Sequence, residues 1–170
     1  MPRLLRKSQV WIMDVFFGFL VFIMVLTLFF RSEINFSEDE ERSFGNLQFE
    51  ARFVSEALLG KGNPLDWTPS NVQELGIADD YIINETRLAN MQLLNYNSSK
   101  SKLMTSSDYY VFFQGTVGIV KVTPTKEGMG KPGINSTNII KKENPKDLTT
   151  IARLVVFRSQ IVKMVLYVWD

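Results

Sequence analysis

One acidic side chain interrupts an apolar stretch near the N-terminus. Asp14 lies a turn inside the run Val10–Phe30, and the basic residues Arg6 and Lys7 precede that run. A carboxylate in hydrocarbon costs several kcal/mol unless it is protonated, paired with a cation or close to the interface. Asp14 is therefore the residue whose chemistry most clearly requires a partner.

Few other residues have the chemistry of a catalytic centre. The chain has no cysteine and no histidine, which excludes thiolate nucleophiles, disulfides, cysteine–histidine zinc sites and imidazole bases. The segment GMGK at 128–131 lacks the earlier glycine and the following Ser or Thr of a phosphate-binding loop. Asp79 and Asp80 could help to hold a calcium ion, but they lack the regularly spaced oxygen ligands of a calcium loop. Paired carboxylates could serve in acid–base catalysis, yet the acidic residues 38–41 are more simply an exposed helix start. We expect no enzymatic activity, no bound metal and no cofactor.

Length and charge narrow the class of protein further. A chain of 170 residues can form one soluble domain with an appendage. The formal net charge is +1, and no basic stripe follows the first seven residues. We therefore expect no nucleic-acid partner, because such proteins normally carry a basic surface.

The apolar run Val10–Phe30 is long enough to cross a membrane. As a helix it would span about 31 Å, close to the roughly 30 Å thickness of the hydrocarbon core. Only Asp14, Gly18 and Thr27 interrupt it. Because basic residues precede the run and acidic residues follow it, we expect a cytoplasmic N-terminus and an extracellular C-terminal part. A buried helix of a soluble domain is the alternative.

A secretory signal peptide also competes with the anchor. Its apolar region is usually about 7 to 15 residues long and ends in small residues. This run instead ends in Leu28, Phe29 and Phe30. Two possibilities remain, namely an uncut anchor and a cut that precedes the apolar run.

The basic tetrapeptide RKSQ at 6–9, followed by the apolar run, resembles the class III signal peptide of archaeal type IV pilin-like proteins. The segments GNPLDW, TPSNVQELG and INETRL are similar to the region after the anchor helix in such proteins. The resemblance implies that a prepilin peptidase cuts between Ser8 and Gln9 and removes a leader, residues 1–8. In the family a glycine or alanine is commoner at the position of Ser8, and the acid of bacterial pilins lies one place earlier than Asp14.

Asp14 has two interpretations. In an ordinary anchor it lies in the headgroup region, hydrated or paired with Lys7 or Arg6. If the leader is removed, the new α-ammonium of Gln9 lies one to two turns away and can pair with Asp14 of a neighbouring subunit in a filament. Such a pair sets the axial register, because a misaligned subunit leaves an unpaired charge in an apolar bundle.

The next elements are helical. Ser37 and Glu40 have the form of a capping box, which predicts a second helix, or a continuation of the first, from Ser37. Apolar residues at spacings of three and four then predict one face that packs on a sheet, with Gly60 as the stop. The residues of this face are Phe44, Leu47, Ala51, Val54 and Leu58.

Turn-forming residues begin the connection that follows. Within it we predict a short helix at Ser70–Leu75 and a buried Trp67. A further helix is predicted at Glu85–Leu94, with Asn84 as its cap and with Leu88 and Met91 facing inward. The polar segment at 97–102 is predicted to be a solvated break.

The second half of the chain has the pattern of strands. Asp108–Val122 is rich in aromatic and β-branched residues and predicts two strands or one bulged strand. Pro124–Lys146 has the composition of a loop. Ile151–Phe157 and Gln160–Trp169 predict a hairpin around a polar link.

These elements predict an α+β fold: a long N-terminal hydrophobic helix followed by a small antiparallel-sheet head of three or four strands. The expected organisation is a leader at 1–8, a membrane or filament-core helix at 9–36 and an extracellular head at 37–170.

Four N-glycosylation sequons follow the apolar run, in agreement with an extracellular location. Asn84 also has a competing role as a helix cap, and Asn97 and Asn135 are the clearest surface candidates. The four asparagines are Asn35, Asn84, Asn97 and Asn135.

Two functions from different classes fit the sequence. The first is a pilin-like structural subunit of an archaeal type IV pilus-like filament, major or minor, which acts in assembly or adhesion. Its partners are identical or related pilin subunits, the prepilin peptidase, the pilus assembly machinery and membrane lipid. The alternative is an uncleaved, single-pass anchored protein with an extracellular binding or sensor domain.

Overall fold

The computed structural model describes residues 4–124 and 126–170, with side chains described for 13–31, 44–124 and 126–170. Helix α1, Leu4–Leu59, is one continuous helix. It continues through Ser37, so the capping-box pattern does not mark a new start. No proline lies between residues 4 and 59, and the backbone hydrogen-bonding pattern is not interrupted there.

The chain divides into two compact units, Met1–Ser43 and Phe44–Asp170. In the second unit the predicted face of α1 is confirmed for four of its five residues, which are buried in the main core: Leu47, Ala51, Val54 and Leu58. Phe44 is 41% exposed, so its inclusion was wrong. The helix ends before Gly60, whose N–H donates to the carbonyl of Ala57.

The connection after α1 is built from turns. The predicted helix at Ser70–Leu75 is absent, because the Asn71 side chain accepts from the Thr68 N–H and the Gln73 N–H donates to the Asn63 carbonyl. These bonds give the backbone an alternative to helix. Trp67 is buried as predicted, and its Nε1–H donates to the carbonyl of Gly76 at 2.9 Å.

Two short strands, β1 (Ala78–Asp79) and β2 (Ile82–Ile83), precede two helices. Helix α2, Glu85–Leu93, is confirmed, with Asn84 as its cap and with Leu88 and Met91 buried. Helix α3, Tyr96–Lys102, replaces the predicted break at 97–102. The Asn95 side chain caps α3, and Ser99 is buried in it, so tertiary contacts outweigh the polar composition.

The strands of the second half follow the prediction in their type. Asp108–Val122 forms two antiparallel strands, β3 (Asp108–Gln114) and β4 (Ile119–Val120). The predicted loop at 124–146 contains two further elements, β5 (Gly128–Gly130) and α4 (Ile139–Glu143), so that prediction was partly wrong.

The predicted C-terminal hairpin is confirmed. Strand β6, Leu148–Phe157, pairs along its whole length with β7, Gln160–Trp169. Arg158 and Ser159 link them with φ values of 52° and 61°, the left-handed backbone of a two-residue type I′ turn.

All seven strands form one sheet in the order β1-β2-β6-β7-β3-β4, with β5 also paired to β3. The fold is α+β and the sheet is mainly antiparallel, as predicted, but it has more strands than expected and one parallel pair, β2 with β6. On β3, Tyr109, Val111 and Phe113 belong to the core with α1, whereas Tyr110 and Phe112 pack on the opposite face with Ile134 and Ile139 from the segment 131–143.

Candidate functional site

The segment Met13–Arg31 of α1 is long and apolar enough to cross a membrane. Its mean hydropathy is 2.5 and none of it is buried within the chain. The aromatic side chain of Phe19, for example, is 62% exposed. Thr27 satisfies its hydroxyl inside the helix by donating to the Ile23 carbonyl at 2.7 Å. In the residues described, this is the one helix whose length and composition are those of a membrane span.

The residues predicted to act in processing and register lie on this helix. Asp14 is exposed at the start of the apolar segment. Ser8 and Gln9 are helical, and their side chains lie outside the described part of the chain.

The four sequon asparagines have different surroundings. Asn97 is exposed near the start of α3. Asn84 is exposed, but its Oδ1 accepts from the Arg87 N–H at 3.1 Å, as its role as a cap requires. Asn135 is half-buried, and its Oδ1 accepts from the Thr137 hydroxyl at 3.0 Å. The side chain of Asn35 lies outside the described residues.

A cleft of about 580 Å³ lies in the second unit between the helices α2 and α3 and the segment around β5. Tyrosine and lysine side chains provide much of its polar lining: Tyr96, Tyr109, Tyr110, Lys121, Lys126 and Lys131. Its size is that of a small-molecule site.

Two polar residues that line the cleft, Tyr96 and Lys131, bind the neighbouring carboxylate of Asp108. Tyr96 Oη donates to Asp108 Oδ1 at 2.8 Å, and Lys131 Nζ lies 2.8 Å from Asp108 Oδ2. Lys100 also pairs with Asp108 at 3.0 Å, and Lys131 pairs with Glu143. This network joins α3, β3, α4 and the segment after β5, and it pairs the charge of Lys131, one of the three lysines in the lining. We therefore interpret it as structural.

The network changes the protonation of its members. Partial burial disfavours the charged form of Asp108, but hydrogen bonds from Lys131, Lys100 and Tyr96 outweigh it and lower its pKa to about 2. Burial raises the pKa of Tyr109 to about 12, although its hydroxyl lies 2.6 Å from that of Ser99. Both groups keep their usual charge at neutral pH.

A second polar cluster joins α1 to the loop before β3. Glu50 accepts from Thr105 Oγ1 at 2.6 Å, from Ser106 Oγ at 2.7 Å and from the Ser107 N–H at 3.1 Å. Partial burial alone would raise the pKa of Glu50, but these bonds lower it to about 2. Neither this cluster nor the Asp108 network was predicted. Their members lie far apart in sequence, and no motif connects them.

One of the two carboxylates considered for a cation site, Asp79 and Asp80, has a basic partner within the chain. Asp79 pairs with Lys61 at 2.8 Å. In the described residues no group of three or more Asp, Glu, His or Cys side chains lies close enough together to hold a metal ion.

Comparisons with known proteins assign no family to this arrangement. No protein-family model, no curated protein and no solved structure matches the chain.

Proposed function

We propose that this protein is a pilin-like structural subunit of an archaeal type IV pilus-like surface filament. One observation carries the proposal. The segment Met13–Arg31 is helical, apolar and unburied within its own chain, and the basic tetrapeptide at 6–9 precedes it. Lipid covers such a segment before assembly, and copies of the same segment cover it afterwards.

Several further features support a structural role. The same α1 continues to Leu59, and its later residues pack on a mainly antiparallel sheet. Two polar residues that line the cleft, Tyr96 and Lys131, are bound to Asp108 in a network that links elements of the fold. An asymmetric contact repeated from subunit to subunit produces an open helical filament. The corresponding function of such a filament is adhesion or surface contact.

The proposal assigns roles to three residues. The prepilin peptidase cuts between Ser8 and Gln9, and the assembly machinery moves the subunit from the membrane into the filament. The freed α-ammonium of Gln9 then pairs with the carboxylate of Asp14 in a neighbouring copy. Inside an apolar bundle an unpaired charge is costly, so this pair fixes the register.

Intact-mass measurement of the native protein tests the processing step. The proposal expects a chain that lacks residues 1–8. A chain that retains them supports the alternative, an uncleaved anchored protein with an extracellular binding or sensor domain.

Substitution of Asp14 tests the register. Asp14→Ala should leave the protein in the membrane but abolish its filaments, because no carboxylate remains to meet the ammonium. Asp14→Glu keeps the charge and is expected to retain part of the assembly. Electron microscopy of cell-surface filaments and membrane fractionation provide the two readouts. Normal filaments from Asp14→Ala would refute the proposed role.

A further inference from the structure

Strand β6 is paired on one side along its whole length and almost unpaired on the other. Its pairing with β7 runs from Leu148 opposite Trp169 to Phe157 opposite Gln160. On the other side, β2 pairs with it only at Val156, opposite Ile82. Within residues 4–124 and 126–170, the segment Leu148–Leu154 thus has an open edge.

The backbone groups that face this edge follow from the alternation of a strand. The N–H of Val156 faces β2 and donates to the Tyr81 carbonyl at 2.8 Å. Alternate residues point their backbone groups to the same side. The N–H and C=O groups of four residues therefore face the open edge, and none of them has a described backbone partner there: Leu148, Thr150, Ala152 and Leu154.

Two of the features that most often protect an edge strand, proline and lysine, are missing here, and the one inward-pointing charge has partners on α1. Proteins commonly block such edges with proline, with lysine or with inward-pointing charge. Leu148–Leu154 contains no proline and no lysine. Its one charged residue, Arg153, turns its side chain onto α1, where Nε donates to Ser55 Oγ at 3.1 Å. Thr150 and Ala152 are exposed, and Leu154 is 65% exposed.

We propose that this edge pairs with the same edge of a second copy of the chain, in antiparallel register about Ile151. In that register Leu148 lies opposite Leu154 of the second copy, and Thr150 lies opposite its Ala152. Each of these residues exchanges both backbone hydrogen bonds with its counterpart. The contact is isologous, because the same surface serves on both sides.

The chemistry of the edge favours its own copy as the occupant. Apolar leucines face each other, small side chains face each other, and Arg153 lies opposite Thr149, so no like charges meet. A shift of two residues in one direction pairs fewer of the four residues. The same shift in the other direction places Leu148 of the copy against Val156, where β2 already lies.

The symmetry of this contact determines whether the two copies belong to the same filament or to two different filaments. A filament built by one repeated screw operation has a polarity and contains no two-fold axis between neighbours. The β6 pairing is two-fold, so it joins subunits of two different filaments. This last step rests on the proposed function, whereas the pairing itself does not.

Cysteine cross-linking of the full-length protein tests the register, since the chain has no native cysteine. Thr150→Cys and Ala152→Cys are prepared separately, then mixed and oxidised in detergent. In the proposed register the Cα atoms of this pair are about 5.5 Å apart, within the disulfide range. Equal residues of the two copies are about 8 to 9 Å apart, beyond the disulfide limit of about 7 Å.

We expect about tenfold more disulfide-linked dimer from the mixture than from either variant alone, because only the mixed pair lies within bonding distance. Ile151→Cys should also cross-link by itself, since this residue lies opposite its own copy at about 4.5 Å. Cross-linking of Thr150→Cys alone or of Ala152→Cys alone would show another register and would overturn the inference. An uncross-linked mixture would overturn it as well.

A proline variant tests the role between filaments. In Ala152→Pro the missing N–H and the ring face the open side, so the β6–β7 pairing is kept while the edge is blocked. Filaments of this variant should form but should not associate laterally, whereas Ala152→Ser filaments should associate as the wild type does. Bundled Ala152→Pro filaments would refute the lateral contact. If the wild-type protein itself forms no filaments, the proposed function is refuted. The cross-linking result would stand independently of that outcome.

Discussion

Glu50 accepts three hydrogen bonds from one loop, and its negative charge makes those bonds strong. The donors are Thr105, Ser106 and Ser107. Hydrogen bonds to a charged group are worth about 1.5 to 3 kcal/mol each, more than neutral ones. This carboxylate therefore links α1 to the loop that precedes β3.

Glu50→Gln should lower the free energy of unfolding by about 1 to 3 kcal/mol, because the donors lose a charged acceptor. Urea unfolding of the detergent-solubilised protein, followed by tryptophan fluorescence, measures the change. Glu74→Gln is the control, since Glu74 is exposed, and it should change stability by less than about 0.5 kcal/mol. Equal effects of the two substitutions would contradict the role of Glu50.

The stability of the protein should also depend on pH in the acid range. The pKa of Glu50 is about 2 in the folded protein, below its ordinary value of 4.5. The contribution of the ionised form is therefore complete above about pH 4.5 and is lost as the pH falls towards 2. Glu50→Gln should weaken this dependence, and Asp108, whose pKa is also about 2, should maintain the rest. A pH profile that does not differ between wild type and Glu50→Gln would exclude this explanation.

Residues with local partners could be predicted from the sequence, and residues with distant partners could not. Asn84 caps α2 by accepting from Arg87, three positions later, and the pattern around it predicts this. Glu50 binds Thr105, which is 55 positions away. The position of such a partner depends on how the whole sheet packs on α1, and no local pattern contains that information.

At the scale of elements, close backbone contacts decide which glycines can be replaced. A Cβ on Gly76 would lie 2.3 Å from the Gly60 carbonyl oxygen, because the two ends of the Trp67 connection touch there. A Cβ on Gly45, inside α1, would meet no atom within 4 Å. The same substitution should therefore have opposite effects at the two positions.

Gly45→Ala should raise the free energy of unfolding by about 0.5 to 1 kcal/mol, because alanine is the better helix former. Gly76→Ala should lower it by about 1 to 3 kcal/mol through overpacking. The midpoint of urea unfolding gives both values. If Gly76→Ala did not change the free energy of unfolding, the backbones at Gly60 and Gly76 could move apart without loss of stability, and the prediction would be wrong.

The elements also show where propensity is outweighed. Strong periodic patterns gave α1, β3, β6 and β7 correctly, since long amphipathic or β-rich segments leave few alternatives. The segment at 70–75 has the composition of a short helix, but the Asn71 side chain and the Asn63 carbonyl hold it in turns. Helix α3 has a polar composition that predicts a break, yet its Asn95 cap and the buried Ser99 stabilise it.

At the scale of the whole molecule, the unburied apolar segment is the part of the chain that favours a membrane environment. Met13–Arg31 contributes nothing to an internal core. The rest of the chain has its own core around α1 and the sheet. A substitution that prevents membrane insertion should therefore leave the fold of residues 44–170 intact.

The double substitution Val21→Arg with Val25→Arg should remove the protein from carbonate-washed membranes. An arginine at the centre of a membrane helix costs about 2.5 to 3.5 kcal/mol on insertion scales, so two of them cost about twice that amount. Phe49→Arg is the control, because Phe49 is 71% exposed and lies beyond the segment. Retention of the double variant in the membrane at the wild-type level would contradict an inserted segment.

Strand β7 follows all the other strands in the sequence, yet it lies between β6 and β3 in the sheet. Neither neighbour can complete its pairing until residues 160–169 have left the ribosome. The apolar segment near the N-terminus emerges from the ribosome long before that time. The sheet of the second unit therefore closes only after residues 160–169 have been synthesised, and nascent chains stalled before Gln160 should remain sensitive to protease.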